Sequence, residues 1–172
     1  MNHLTFAAES SADIPQIRAA VTAAFGRSNE ADLIDRIRIS ANFVPELSIV
    51  ARHQEVVGHI LFSKITIETV THPVSALALA PLAVTPLQQK QGIGSQLIQV
   101  GLAQCHALGQ AIVIVLGHPH YYKRFGFEPA SRYGIQAPFE VPDEAFMVQA
   151  LSPDALSRVE GTVNYPAYFL DV

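Results

Sequence analysis

The run Leu79-Ala-Pro-Leu-Ala-Val-Thr-Pro-Leu-Gln-Gln-Lys-Gln-Gly-Ile-Gly-Ser95 decides how this chain is read. Leu79 to Val84 is apolar throughout and predicts a buried strand. Thr85-Pro86 closes it, because proline has no N–H for a ladder and restrains the residue before it. Gln89-Lys90-Gln91-Gly92-Ile93-Gly94 then leads into a helical pattern. Ile93, Leu97, Ile98, Leu102, Cys105 and Leu108 recur near one face at a period of about 3.6 residues. A strand, a glycine turn and a helix N-terminus in that order make an anion site. The first turn of a helix has unpaired N–H donors, and the macrodipole adds about half a positive charge there. Gly92 and Gly94 carry no Cβ, so a bulky phosphate can approach the backbone closely.

The turn is too short for a P-loop and lacks the three glycines of a dinucleotide fingerprint. Downstream, Ala111-Ile-Val-Ile-Val-Leu116 predicts a short β-branched strand. Gly117-His-Pro-His-Tyr-Tyr-Lys-Arg-Phe-Gly-Phe127 follows it. Gln89-x-x-Gly92-x-Gly94 after an apolar strand resembles the acetyl-CoA pyrophosphate loop of the GCN5-related N-acetyltransferase (GNAT) family. The second segment is similar to that family's closing signature, aromatic-Tyr-x-Lys/Arg-apolar-Gly-Phe. It comes nearest to a bacterial branch carrying Gly-His-Pro-x-Tyr-Tyr-x-Arg-Phe-Gly-Phe. Together the two motifs identify the chain as a member of the family.

Length and composition set bounds on this reading. At 172 residues, 49% apolar and 15% charged, the chain is expected to be one compact α/β (α+β) domain spanning residues 1–172. A net charge of −4 with no basic stripe argues against nucleic-acid binding, which needs clustered Lys and Arg. The single cysteine, Cys105, falls on the apolar helix face and reads as a buried small hydrophobe. No apolar run reaches the roughly 18 residues of a membrane span, and no leader pattern opens the chain. The expectation is a cytoplasmic protein without a membrane partner, monomeric or homodimeric.

The remaining elements follow from periodicity and punctuation. Leu4–Ala7 predicts a first strand. A helix opens near Asp13-Ile14-Pro15 and stops at Gly26, with Ile17, Ala20, Val21, Ala24 and Phe25 on one face. A second helix starts at Ser28-Asn29 and turns Leu33, Ile34 and Ile37 inward. Leu47–Ala51 and Val56–Ile67 predict a hairpin, and Val74–Val84 the central strand. Beyond Phe127 the chain is loop-rich. Ala145–Leu151 is expected as a strand, Ser152–Val159 as a short helix, and Val163–Leu170 as a final edge strand admitting Pro166.

The family resemblance implies a mixed central sheet splayed at a cofactor slot, with helices on both faces. It implies acetyl-CoA as cofactor, CoA as product, and transfer of the acetyl group to a primary amine, on a small molecule or a peptide N-terminus, by direct attack in a ternary complex. The backbone of Gln89, Lys90, Gln91, Gly92, Ile93, Gly94 and Ser95 would cradle the pyrophosphate. Leu82, Ala83 and Val84 would lie against the pantetheine arm, and Lys90, Lys123 and Arg124 would assist the phosphates. Tyr122 aligns with the family's general acid, with Tyr121 one position before it. Neighbours on a helical turn point about 100° apart, so only one of the two faces the sulfur.

Two departures from the family matter. Ser75-Ala-Leu-Ala-Leu79 offers no titratable group where related enzymes carry a strand glutamate. Any base must therefore come from elsewhere or from an ordered water; His118 is the nearest histidine candidate by sequence, with Glu144 weaker. The asparagine often found before the acid tyrosine is also absent. Phe25, Glu30 and Asp32 are possible acceptor contacts, although two acids in a first turn also complement the helix dipole. His118-x-His120 lacks further ligands of suitable spacing, so no metal is expected. His59 reads as a satisfied, partly buried strand residue. The alternative function is a non-catalytic acyl-CoA sensor, favoured by the missing glutamate.

Overall fold

The computed structural model describes residues 3–172. Nine strands and four α-helices lie among them: β1 (Thr5–Ala8), α1 (Ile14–Phe25), α2 (Asn29–Arg38), β2 (Phe43–Arg52), β3 (Val56–Glu68), β4 (Pro73–Val84), α3 (Ile93–Ala107), β5 (Ile112–Leu116), α4 (Pro119–Lys123), β6 (Glu128–Pro129), β7 (Ile135–Gln136), β8 (Phe146–Ala150) and β9 (Gly161–Asn164). The sheet runs β1-β2-β3-β4-β5-β8-β6, with β9 pairing both β3 and β7. It is mostly antiparallel; β4–β5 and β7–β9 are the parallel pairs. The mixed α/β class expected from the sequence is the class observed.

The chain divides into two compact units. One comprises the chain to Ser63, Ala80–Gln104 and Ala167–Val172; the other comprises Lys64–Leu79 and Cys105–Pro166. In the first, Ser10 opens the path into α1 by donating its N–H and its hydroxyl to Asp13 Oδ2, at 2.8 and 3.1 Å. Pro15 occupies the first turn, where its missing N–H costs nothing, and Gly26 caps the helix in the left-handed region. Ile17, Ala20 and Val21 of α1 and Leu33, Ile34 and Ile37 of α2 recur at helical spacing. They bury against Val50, Val56, Leu61 and Ala83 of the strands. The side-chain oxygen of Gln16 accepts the N–H of Val56 at 2.9 Å, tying α1 to the start of β3.

In the second unit the β4–β5 ladder covers Leu77↔Val113 and Ala78↔Ile114. β5 then pairs antiparallel with β8 from Ile112↔Ala150 to Leu116↔Phe146. Its Ile112, Val113, Ile114 and Val115 are all buried, as a continuous β-branched run requires of a strand covered on both faces.

Two expected elements differ. Ser152–Val159 forms turns and no helix. Asp154 and Arg158 adopt φ of 61° and 60°, and the bonds Ala155 N–H to Ser152 O and Ser157 N–H to Asp154 O close separate turns. Ser and Asp side chains compete with helical hydrogen bonding, and a segment this short gains too little packing to overcome that. Val163–Leu170 is not an edge strand. β9 is paired on both sides and ends at Asn164, and a 3-10 turn spans Ala167–Asp171 beyond Pro166. Proline supplies no ladder donor, so pairing stops short of it.

Candidate functional site

The end of β4 from Ala80, the turn after it and α3 as far as Gln104 lie in the first unit. Ala83 is buried in the α1/α2 core, whereas Leu82 and Val84, on the opposite parity, are half-exposed. The Thr85 N–H donates to Val57 O at 2.9 Å, which holds the end of β4 on β3. A 3-10 turn, Pro86–Gln88, follows. The Gln89 side chain then reaches back and donates its amide to Val84 O at 2.9 Å, and the Gln91 amide donates to Leu87 O at 3.3 Å. The glutamines that begin the predicted motif thus hold the turn against the strand it leaves.

Lys90 sits at φ 63° and Gly92 at φ 83°, both in the left-handed region. Gly92 adopts this without strain; Lys90 does so at a cost of about 1 kcal/mol or more. Space around Gly92 is open, the nearest atom to a hypothetical Cβ being the Gln96 amide nitrogen at 4.0 Å. Gly92 O accepts the Gln96 N–H at 3.1 Å, which starts the helical ladder. The N–H groups of Ile93 and Gly94 precede it, so they have no acceptor within the helix. Gln89, Lys90, Gln91 and Gly92 are exposed, Gly94 and Ser95 half-buried and Ile93 buried, anchoring the helix while its first turn stays accessible.

The Tyr122 segment lies in the second unit. Pro119 opens α4, and the His118 carbonyl accepts the N–H groups of Tyr121 and Tyr122 at 3.1 and 3.2 Å. Tyr122 is buried, at 9% exposure, edge-on to Tyr121 (ring centroids 5.2 Å) and to Phe127 (5.8 Å). A Cβ on Gly117 would lie 2.5 Å from Tyr122 Cε2, so the ring fills the space that glycine leaves. Burial, and secondarily Tyr121, pushes the Tyr122 phenol above its ordinary pKa and keeps its proton on Oη. The His118 side chain is exposed and makes no hydrogen bond among the described residues. Arg124 lies over the rings of Tyr121 and Phe125, at 5.5 Å from each.

The site residues expected from sequence therefore fall into two groups. Leu82, Ala83, Val84 and Gln89 to Ser95 belong to the first unit, and His118, Tyr122 and Arg124 to the second. Glu30 and Asp32, offered as acceptor contacts, are engaged in ion pairs: Glu30 with Arg27 and Asp32 with Arg18. Glu144 is exposed in a 3-10 turn. His59 is fully buried, its Nε2 is 2.8 Å from Ser48 Oγ and its Nδ1 has no partner, so it is more buried and less satisfied than expected. The Cys105 thiol is buried and pushed up to about 12, which removes it as a nucleophile. Among the described residues no group of three His, Cys, Asp or Glu is placed to hold a metal ion. No described helix is long and apolar enough to cross a membrane. Gly117 went unread as a site residue; nothing local in the sequence marks it as the seat of a ring.

Residues 7–130 match the family model described as an acetyltransferase (GNAT) domain. The chain is 38% identical over 162 residues to the uncharacterised N-acetyltransferase YjhQ of Escherichia coli K12, covering 91% of this chain and 90% of the relative. The crystal structure of the GNAT N-acetyltransferase YhbS of Escherichia coli in complex with CoA superposes with a TM-score of 0.90 at 30% identity, covering 99% of this chain and 93% of that one. A GNAT acetyltransferase from Brucella melitensis in complex with acetyl-CoA gives 0.80 at 30% identity, covering 98% and 99%. The chain belongs to the GNAT acetyltransferase family.

Proposed function

We propose that the protein is an acetyl-CoA-dependent N-acetyltransferase that moves an acetyl group to a primary amine by direct attack in a ternary complex. The observation that carries the reading is the turn at the end of β4. Gly92 at φ 83° stands immediately before the first turn of α3, and Gln89 clamps the turn to Val84 O. A helix N-terminus behind an open glycine turn fits a pyrophosphate. Gln89, Lys90, Gln91, Gly92, Ile93, Gly94 and Ser95 would hold it, and Leu82, Ala83 and Val84 would line the pantetheine arm. The related structures with CoA and acetyl-CoA support this assignment.

Bound acetyl-CoA supplies an acetyl thioester. The chain's own contribution is a proton held at Tyr122 Oη, which the raised pKa preserves through neutral pH. With its only thiol inert, the chain has no cysteine to carry the acetyl group, which supports direct transfer. A base is a lesser need if the amine arrives neutral; His118 remains a candidate by position alone. The absence of a titratable side chain from Ser75 to Leu79 favours a second reading, a non-catalytic acyl-CoA sensor.

A thermal-shift titration with acetyl-CoA, CoA and ATP tests the cofactor. At a hundred times its dissociation constant a ligand stabilises by about 2.7 kcal/mol, or about 5–10 °C for this size. The expected result is a rise with acetyl-CoA and CoA and none with ATP; no rise with the first two would end the reading. Tyr122→Phe separates enzyme from sensor. In the enzyme it lowers kcat about a hundredfold and keeps the acetyl-CoA shift. Unchanged turnover would remove Tyr122 from the mechanism.

A further inference from the structure

The segment between β7 and β8 walls a cleft of about 620 Å³ wholly inside the second unit. That size suits a small molecule. Part of its lining is aromatic. Phe139 stacks on Tyr165 (centroids 6.0 Å, 22°) and meets Phe146 edge-on at 6.5 Å, yet it keeps 41% of its surface exposed. The lining also carries two exposed carboxylates, Glu140 and Asp143, the latter fixed by the Ser131 hydroxyl at 2.8 Å. None of the lining residues is basic. The wall is also linked to the Tyr122 segment within the same unit. Phe146 pairs with Leu116, the Gly117 N–H donates to Ala145 O at 3.0 Å, and the Tyr122 ring occupies the space over Gly117.

From this arrangement we infer that the cleft receives the acceptor, and that the acceptor is an apolar-bodied amine carrying a second positive charge. The inference rests on the acetyltransferase reading. Two carboxylates in a lining that holds no basic side chain favour the protonated form of any amine they hold. A protonated amine has no lone pair with which to attack a carbonyl carbon. The nitrogen held at Glu140 and Asp143 is therefore not the one acetylated; it anchors the molecule while the body lies on Phe139 and a second, neutral amine reacts. At that amine a C–N bond forms and the thioester C–S bond breaks. The nitrogen gives up one proton and the CoA sulfur takes one, so atoms and charge balance.

Three probes share one reacting aminomethyl group and differ in the opposite substituent: p-xylylenediamine (cationic), benzylamine (neutral) and p-(aminomethyl)benzoate (anionic). Acetylation is followed by thiol release, and binding by calorimetry, in the wild type and in E140Q/D143N. The expected KM for the diamine is about three- to tenfold below that of benzylamine, with the benzoate highest. The double variant brings the three together, and F139A raises all three alike. A charge preference that survives in E140Q/D143N, or equal or undetectable binding of the three by the wild type, overturns the assignment. So does a diamine that binds but is never acetylated. If acetyl-CoA fails to raise the melting temperature of the wild type, the acetyltransferase reading itself has failed. If that rise is present and the charge preference is missing, only the cleft assignment falls.

Discussion

One missing Cβ positions the Tyr122 ring. At Gly117 an added methyl group would lie 2.5 Å from Cε2 and 3.0 Å from Cδ2 of that ring, far inside van der Waals contact. The ring cannot yield freely, because Tyr121 and Phe127 meet it edge-on. Gly117→Ala is expected to cost about 1–3 kcal/mol, the usual price of overpacking, and to lower kcat by displacing Oη. Urea denaturation and steady-state assays check both, with the acetyl-CoA thermal shift unchanged. Gly92 was legible as a candidate residue because its place between a strand and a helix carries a motif. Gly117 was not, because a ring folding back on a backbone leaves no periodic trace.

At the level of the element, α3 joins the core to the glycine turn that ends at Gly92. Ile93, Leu97, Ile98 and Cys105 of the predicted face are buried, Leu102 is partly buried, and Leu108, just past the helix end, is 40% exposed. Leu97 is fully buried, and its Cδ1 lies 3.0 Å from where a Cβ on Gly58 would stand, so helix and β3 pack closely there. Leu97→Ala should destabilise the protein by about 2–5 kcal/mol through lost transfer energy and a residual cavity, read as a lower urea midpoint with an unchanged slope. The long periodic helices and most apolar strands were legible within a residue or two, although β2 begins at Phe43, well before the expected Leu47. The two-residue strands β6 and β7 were not, since their pairing comes from their partners.

For the whole molecule, stability should depend on pH through His59. The ring is fully buried; burial first, and the Arg38 charge second, lower its pKa to about 3 from an ordinary 6.5. Its surroundings are Ser48 from β2, whose hydroxyl also bonds Glu9, and Arg38 from α2, paired with Glu9 at 2.9 Å. The unfolded chain takes up a proton near pH 6.5 while the folded one does not until about pH 3. Stability therefore falls as pH drops through that window, by up to about 1.4 kcal/mol per unit. Asp13, held below the usual carboxylate range by the Ser10 N–H first, adds its own loss only lower down, as pH falls below about its ordinary 3.8. Denaturation at pH 7 and pH 5 should show a loss of about 1–2 kcal/mol that is largely absent in His59→Gln. An equal loss in the variant would place the titrating group elsewhere.

The sequence by itself determined the fold class, the order of the main elements, the glycine turn before α3 and the aromatic signature. Each of these is written in local terms: a 3.6-residue period, an apolar β-branched run, or glycines between a strand and a helix. Tertiary structure alone decided which polar groups are spent. It gave Glu30 and Asp32 to Arg27 and Arg18, buried His59 with one nitrogen unpaired, and set the Tyr122 ring on Gly117. It also turned Ser152–Val159 into turns and gathered Phe139, Glu140, Asp143 and Phe146 around one cleft. The reason is common to all: burial and pairing are set by neighbours distant along the chain, and a residue's own sequence window holds no record of them.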